Sequence, residues 1–132
     1  MTKDELSQCS FLVVDDDEFQ RDIVTSVLER IGGTRIFTAS DSEGACKLTQ
    51  QHTPDFVLLD IYMPRVDGFA LLDQLRSIHP GLVVIMVTGS HAPADFAKSL
   101  DRRVDGFCIK PVLPDIMLKT LSTARLRRQN LR

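Results

Sequence analysis

Five short apolar runs, at residues 11–14, 35–38, 56–59, 82–87 and 107–109, constrain what this chain can fold into more than any other feature. Four of them are near-continuous, built mainly of Val, Ile, Leu and Phe, with no polar residue at every second place. A strand with one wet face alternates; a strand that stays apolar is covered on both faces, as in a parallel sheet. Parallel neighbours need a crossover, and amphipathic segments supply one each time. Phe19, Ile23, Val27 and Ile31 recur at i, i+4 spacing on one helical stripe, which Gly32-Gly33 ends. Ser40 and Glu43 have capping-box spacing, so a helix is predicted from near Asp41 to about His52. Asp67 can cap a helix holding Phe69, Leu72 and Leu75, closed near Pro80-Gly81. Pro93 suits the first turn of a short helix with Phe96 and Leu100, and Pro114 that of a last helix through Ile116, Leu121 and Ala124. The sum is an α/β chain, (βα)₅, whose right-handed crossovers put helices on both faces of one parallel sheet.

At 132 residues, 43% apolar and 26% charged, the chain suits one soluble globule with a single core. Its net charge of −2 gives no general attraction to nucleic acid or an anionic membrane, so neither is expected as a partner. No apolar run approaches the ~20 residues of a membrane span. The opening MTKDELSQCS lacks the apolar segment of an export signal, and a cytoplasmic location is expected. Cys9, Cys46 and Cys108 are odd in number with no CxxC pairing, so they read as reduced thiols filling space. His52, His79 and His91 share no metal-like spacing and read as solvated.

Open parallel sheets place their sites at the carboxyl ends of the strands. Here those ends carry chemistry. The first strand ends in Asp15-Asp16-Asp17, the third in Asp60, the fourth in Thr88 and the fifth in Lys110. Carboxylates about 5 Å apart repel by roughly 3 kcal/mol per pair at an effective dielectric near 20. Such a knot spreads into solvent or holds something positive. Oxygen ligands of this kind suit a hard divalent cation such as Mg²⁺, which commonly takes one or two carboxylates plus waters and a phosphate. A lysine and a threonine hydroxyl suit the oxygens of a phosphoryl group. Asp17 and Glu18 are better placed to cap the first helix.

The motifs VVDDD, PDFVLLDIYMPRVDGF, VIMVTG and FCIKP, in that order, resemble the receiver domain of two-component response regulators over roughly residues 10 to 125. The resemblance implies a flavodoxin-like three-layer sandwich with a five-stranded parallel sheet in the order 2-1-3-4-5. It implies that Asp60 is the phosphoacceptor, charged by a histidine kinase or phosphotransfer protein. Asp15 and Asp16 would hold Mg²⁺, or Mn²⁺ in its place, with Asp60 and the backbone carbonyl of Tyr62 completing the protein ligands. Lys110 would pair with phosphoryl oxygens, Thr88 would turn its hydroxyl toward them, and Phe107 would move inward with Thr88. Lys110-Pro111 resembles the family's cis peptide. The implied output is a changed surface of the fourth helix, fifth strand and fifth helix, offered to an output domain, a downstream protein or a second copy. The chain would then catalyse only its own phosphorylation and dephosphorylation. Gly89 stands where a small alanine is common in the family. Tyr62, two places after Asp60, is large enough to slow attacking water, so slow dephosphorylation is expected.

Other readings weigh the same residues differently. Asp15-x-Asp17, Thr88 and Lys110 also mimic a haloacid-dehalogenase-like phosphatase with Asp15 as nucleophile, although Gly and Thr do not follow the D-x-D and the stretch 54–64 is left unexplained. A receiver-shaped scaffold that never accepts phosphate is a third. Residues 1–9 read as an extension. Residues 126–132 read as a helix end or a linker toward an output domain, with Arg125, Arg127, Arg128 and Arg132 solvated and Leu126 and Leu131 without an evident place to pack. A stand-alone receiver and a piece of a longer chain fit equally.

Overall fold

The computed structural model describes residues 1–90 and 92–130. His91, Leu131 and Arg132 lie outside the described residues. In chain order the elements are α1 (Lys3–Gln8), β1 (Ser10–Val14), α2 (Glu18–Ile31), β2 (Arg35–Ala39), α3 (Ser42–His52), β3 (Phe56–Leu59), β4 (Tyr62–Met63), β5 (Val66–Asp67), α4 (Gly68–Ile78), β6 (Val83–Thr88), α5 (Pro93–Asp101), β7 (Gly106–Ile109) and α6 (Pro114–Asn130). The five long strands form one parallel sheet in the order β2-β1-β3-β6-β7. This is the expected 2-1-3-4-5 order, because β4 and β5 form a separate antiparallel hairpin.

The apolar runs behave as double-sided strands should. Phe11, Val13, Phe56, Leu58, Ile85 and Val87 face one core with Val24 and Leu28 of α2 and Met117, Leu121 and Ala124 of α6. Leu12, Val14, Val57, Leu59, Val84 and Met86 face the other with Ala45 of α3 and Phe69, Leu71, Leu72 and Leu75 of α4. Alternate side chains therefore serve opposite layers. Register aligns Val14 with Leu59, and Leu59 with Met86, so the strands end together at one rim.

Three helix faces differ from the sequence expectation. A strict i, i+4 ladder turns about 40° per step around a helix, so it drifts off any single face. In α2 the ladder carries Phe19 into solvent at 68% exposure, while Val24 and Leu28 are the fully buried pair and Val27 and Ile31 flank them. In α6 Leu121 and Ala124 are buried as expected, but the first-turn core contact is Met117, with Ile116 exposed. In α5 both Phe96 and Leu100 are exposed, and the buried residue is Ser99. The capping box at Ser40 also gives way: Asp41 caps α3 and accepts from the Gly44 amide at 2.7 Å. Asp17 and Asp67 cap α2 and α4, and Pro93 opens α5.

Helix α1 had no sequence signal beyond Thr2, whose hydroxyl caps it. It buries Leu6 in the α2–α6 layer, and the terminal amine of Met1 donates to Ser122 Oγ at 2.8 Å. At the other end, Arg128 of α6 donates to the Pro80 carbonyl at 2.5 Å, and Leu126 stays exposed. The cysteines are free thiols, with Cys9 and Cys108 buried and Cys46 half-buried. His52 stacks on Phe37 with ring centroids 4.0 Å apart. No helix among the described residues is long and apolar enough to cross a membrane.

Candidate functional site

Four strands of the sheet deliver a residue at or just past their ends to the same rim, and the ladder fixes the delivery. The Asp15 amide donates to the Ala39 carbonyl, that of Asp60 to Val14, and that of Lys110 to Thr88. Asp15, one residue past β1, is buried. Its Oδ1 accepts from the Asp17 amide at 3.0 Å and its carbonyl from Arg21 at 2.7 Å. Asp16 is exposed. Asp60, past β3, is buried, and its Oδ1 accepts from the Tyr62 amide at 3.1 Å. Lys110, past β7, reaches back across the sheet end. Its ammonium lies 2.5 Å from Asp15 Oδ2 and 3.1 Å from Asp60 Oδ2. The Lys110–Pro111 peptide is cis.

The site thus brings together Asp15, Asp16, Asp60 and Lys110. One carboxylate oxygen from each of the three acids lies within 4.8 Å of the others. Three convergent oxygen donors, two of them buried, fit a small hard divalent cation, and their repulsion supplies the reason to bind one. Burial pushes the carboxyl of Asp60 above the ordinary carboxylate range, against the pull of the Lys110 charge and the Tyr62 amide. Burial also opposes the Lys110 ammonium, but the hydrogen bond to Asp15 and the charge of Asp60 outweigh it and hold its pKa above the ordinary lysine value.

Thr88, the last residue of β6, is fully buried, and its hydroxyl accepts from the Ser90 amide at 3.2 Å. Phe107 is half-buried at the edge of the α4 layer and meets Phe96 edge-to-face at 5.4 Å. Tyr62 is exposed, and its phenol donates to Asp95 at 2.6 Å. The Ser90 hydroxyl donates to the same Asp95 oxygen. These two donors hold the Asp95 carboxyl below the usual carboxylate range, Ser90 first, and the carboxylate raises the Tyr62 phenol.

Two features escaped the sequence reading. A Cβ on Gly68 would lie 2.5 Å from the Asp60 carbonyl and 2.8 Å from Ile61 Cα, so only glycine lets α4 begin against the backbone of the loop after Asp60. The Asp67-Gly68 pair was the available signal, since an aspartate cap followed by glycine marks a tight helix entry. Asp95 had no signal at all, because its partner Tyr62 is 33 positions away. Gly89 is the opposite case: a Cβ there meets nothing within 4 Å, so an alanine would fit.

Residues 11–122 match the family model described as the response regulator receiver domain. Among curated proteins, the chain is 37% identical over 119 residues to a probable transcriptional regulator, ycf27, of Guillardia theta, covering 90% of this chain and 46% of that one. It is 33% identical over 115 residues to the probable transcriptional regulatory protein TcrX of Mycobacterium tuberculosis, covering 86% and 49%. The chain therefore spans about half the length of these relatives. Among solved structures, it is similar to a CheY-like receiver domain protein from Methanospirillum hungatei, with a TM-score of 0.81 and 26% identity over 94% of this chain and 98% of that one. A complex of CheX, CheY, BeF3 and Mg from Borrelia burgdorferi gives a TM-score of 0.81 at 27% identity, covering 89% of each chain.

Proposed function

The chain belongs to the response regulator receiver domain family, and from that premise we propose that it signals by accepting a phosphoryl group on Asp60. The observation that carries the reading is Lys110, whose ammonium touches both Asp15 and Asp60 at the rim where three carboxylates converge. Against this membership the phosphatase and inert-scaffold readings are not favoured.

In the transfer, a carboxylate oxygen of Asp60 attacks phosphorus. The new bond is O–P; the bond that breaks joins phosphorus to the donor, and its electron pair leaves with the donor, a histidine side chain of a kinase or phosphotransfer protein. Asp60 enters as a carboxylate, so no proton need leave the nucleophile. Lys110 sits beside Asp60 with a full positive charge and can follow the phosphoryl oxygens once they arrive. Mg²⁺ or Mn²⁺, held by Asp15, Asp16, Asp60 and the Tyr62 carbonyl, would supply charge neutralisation for those oxygens. Thr88 would donate its hydroxyl to the acyl phosphate, drawing Phe107 inward with it. The chain would carry out its own loading and unloading.

The output reading rests on the surface of α5, β7 and α6, where Phe96, Leu100, Ile109, Leu113 and Ile116 are exposed together. Such a face suits an output domain, a downstream protein or a second copy, and not nucleic acid or a membrane. A kinase-fed receiver of this kind works in the cytoplasm.

The test is a phosphoryl-transfer assay with Mg²⁺ and a small phosphoramidate donor, followed by mass spectrometry of the borohydride-reduced protein. One label at residue 60, absent in Asp60→Asn, is the expected result. A label on Asp15, or steady phosphoester turnover, would overturn the reading.

A further inference from the structure

Beside the acidic pocket, one carboxylate gathers more polar partners than its place in a helix's first turn requires. Asp95 Oδ2 accepts from the Tyr62 phenol at 2.6 Å and from the Ser90 hydroxyl. Ser90's amide donates to Thr88 Oγ1 at 3.2 Å, and Tyr62's amide donates to Asp60 Oδ1 at 3.1 Å. These bonds make a continuous path from the acceptor aspartate to the threonine expected to respond to it. Asp95 is the middle of this path; a second one passes through Lys110, whose amide donates to the Thr88 carbonyl and whose ammonium meets Asp60.

We propose that Asp95 is a positioning residue that latches Tyr62 and Ser90 together in the resting protein and so opposes the turn of Thr88 toward a phosphoryl group. The inference rests on the reading of Asp60 as phosphoacceptor. Two physical arguments carry it. The Ser90 amide holds Thr88 Oγ1 in its resting place, and Ser90 is itself pinned at its side chain by Asp95. Moving Thr88 therefore strains or breaks the latch. Charge acts in the same sense. Phosphorylation adds roughly −1.5 to −2 of charge next to the loop that Tyr62 occupies, and the Asp95 carboxylate at the far end of that tyrosine is disfavoured by it. Latch and phosphoryl group oppose each other, and the coupling is reciprocal.

The seating of α5 makes the latch matter. Its Ala92 N-cap supplies no side-chain cap, its amide donating instead to the Ser90 hydroxyl at 3.2 Å, and Ser99 is the buried residue of the helix. The start of α5 is tied to the acceptor loop by the Asp95–Tyr62 bond, and to α4 by Lys98 over the Phe69 ring at 4.7 Å. Releasing Asp95 frees the end of α5 that borders Thr88.

The sequence provides its own probe, since it holds one tyrosine and no tryptophan, so intrinsic emission reports Tyr62 alone. Beryllofluoride with Mg²⁺ serves as the acyl-phosphate mimic, bound to the full chain and measured by calorimetry. Asp95→Ala and Tyr62→Phe are each expected to bind it about three- to tenfold more tightly, the net worth of one hydrogen bond. The double variant should be no tighter than either single one, because both remove one latch. Resting Asp95→Ala should already show the tyrosine emission that wild type reaches only at saturation. Unchanged affinity in both single variants, additive gains in the double, or identical resting emission in wild type and Asp95→Ala would each overturn the latch. Binding to wild type but not to Asp60→Asn, with affinities unmoved by the latch variants, removes the latch alone. No binding to wild type removes the acceptor reading and the latch with it.

Discussion

Helices α4 and α5 follow successive strands of the sheet but are seated by opposite means. Helix α4 buries Phe69, Leu71, Leu72 and Leu75, carries an Asp67 cap, and starts with Gly68 pressed on the backbone of Asp60 and Ile61. Helix α5 buries Ser99, has no side-chain cap, and turns Phe96 and Leu100 to solvent. The first is held by apolar area, which is strong and has no alternative arrangement. The second is held by polar and edge contacts, which can be exchanged at small cost. A site that must stay assembled while an adjacent surface changes needs both kinds of seat.

The largest effect that can break this contrast is in α4. Leu72→Ala should destabilise the fold by about 2–5 kcal/mol in urea unfolding, as for any fully buried leucine. Next is Gly68→Ala, expected to cost about 1–3 kcal/mol by overpacking against fixed backbone, and to lower phosphoryl uptake by displacing the Asp60 loop. A value near zero would mean that α4 is not locked to that loop.

Asp105 gives a smaller, pH-dependent effect at the opposite end of the sheet. It is buried, accepts from the Val84 amide at 2.8 Å, and faces Arg76, Arg128 and Arg127. Burial raises its pKa above the unfolded value, against the pull of that amide and the arginines. The folded state therefore binds the proton more tightly. Its contribution to stability is full below the ordinary aspartate range and is lost as pH rises through the raised folded pKa. Unfolding of wild type and Asp105→Asn, compared from pH 7 to pH 4, should show wild type gaining on the variant as pH falls. The smallest effect belongs to α5: Leu100→Ala should change stability by less than about 0.5 kcal/mol. A loss as large as that of Leu72→Ala would erase the distinction between the two helices.

Much of this was legible in the sequence because it depends on local pattern. Unbroken apolar runs require two covering layers, and the residue after each run must sit at the rim, so Asp15, Asp60, Thr88 and Lys110 could be placed together before any coordinates. What could not be read depends on distant partners or on fine rotation. Nothing near Leu6 shows that α1 docks on α6, and nothing in the spacing of Tyr62 and Asp95 shows that they meet. The i, i+4 ladder of α2 pointed to Phe19 because spacing identifies a helix more reliably than it identifies the buried face. Gly68 has ordinary backbone angles, and its role appears only when the Asp60 carbonyl is seen to fill the space of a side chain.

The most direct measurement is amide hydrogen exchange of the full chain with and without Mg²⁺ and beryllofluoride. Phosphoryl-like charge on Asp60 should change exchange in α5, β7 and the Ser90 region while α4 stays as protected as before. Equal change in α4 and α5, or none anywhere on saturation, would contradict the claim that an anchored acceptor site drives an exchangeable surface.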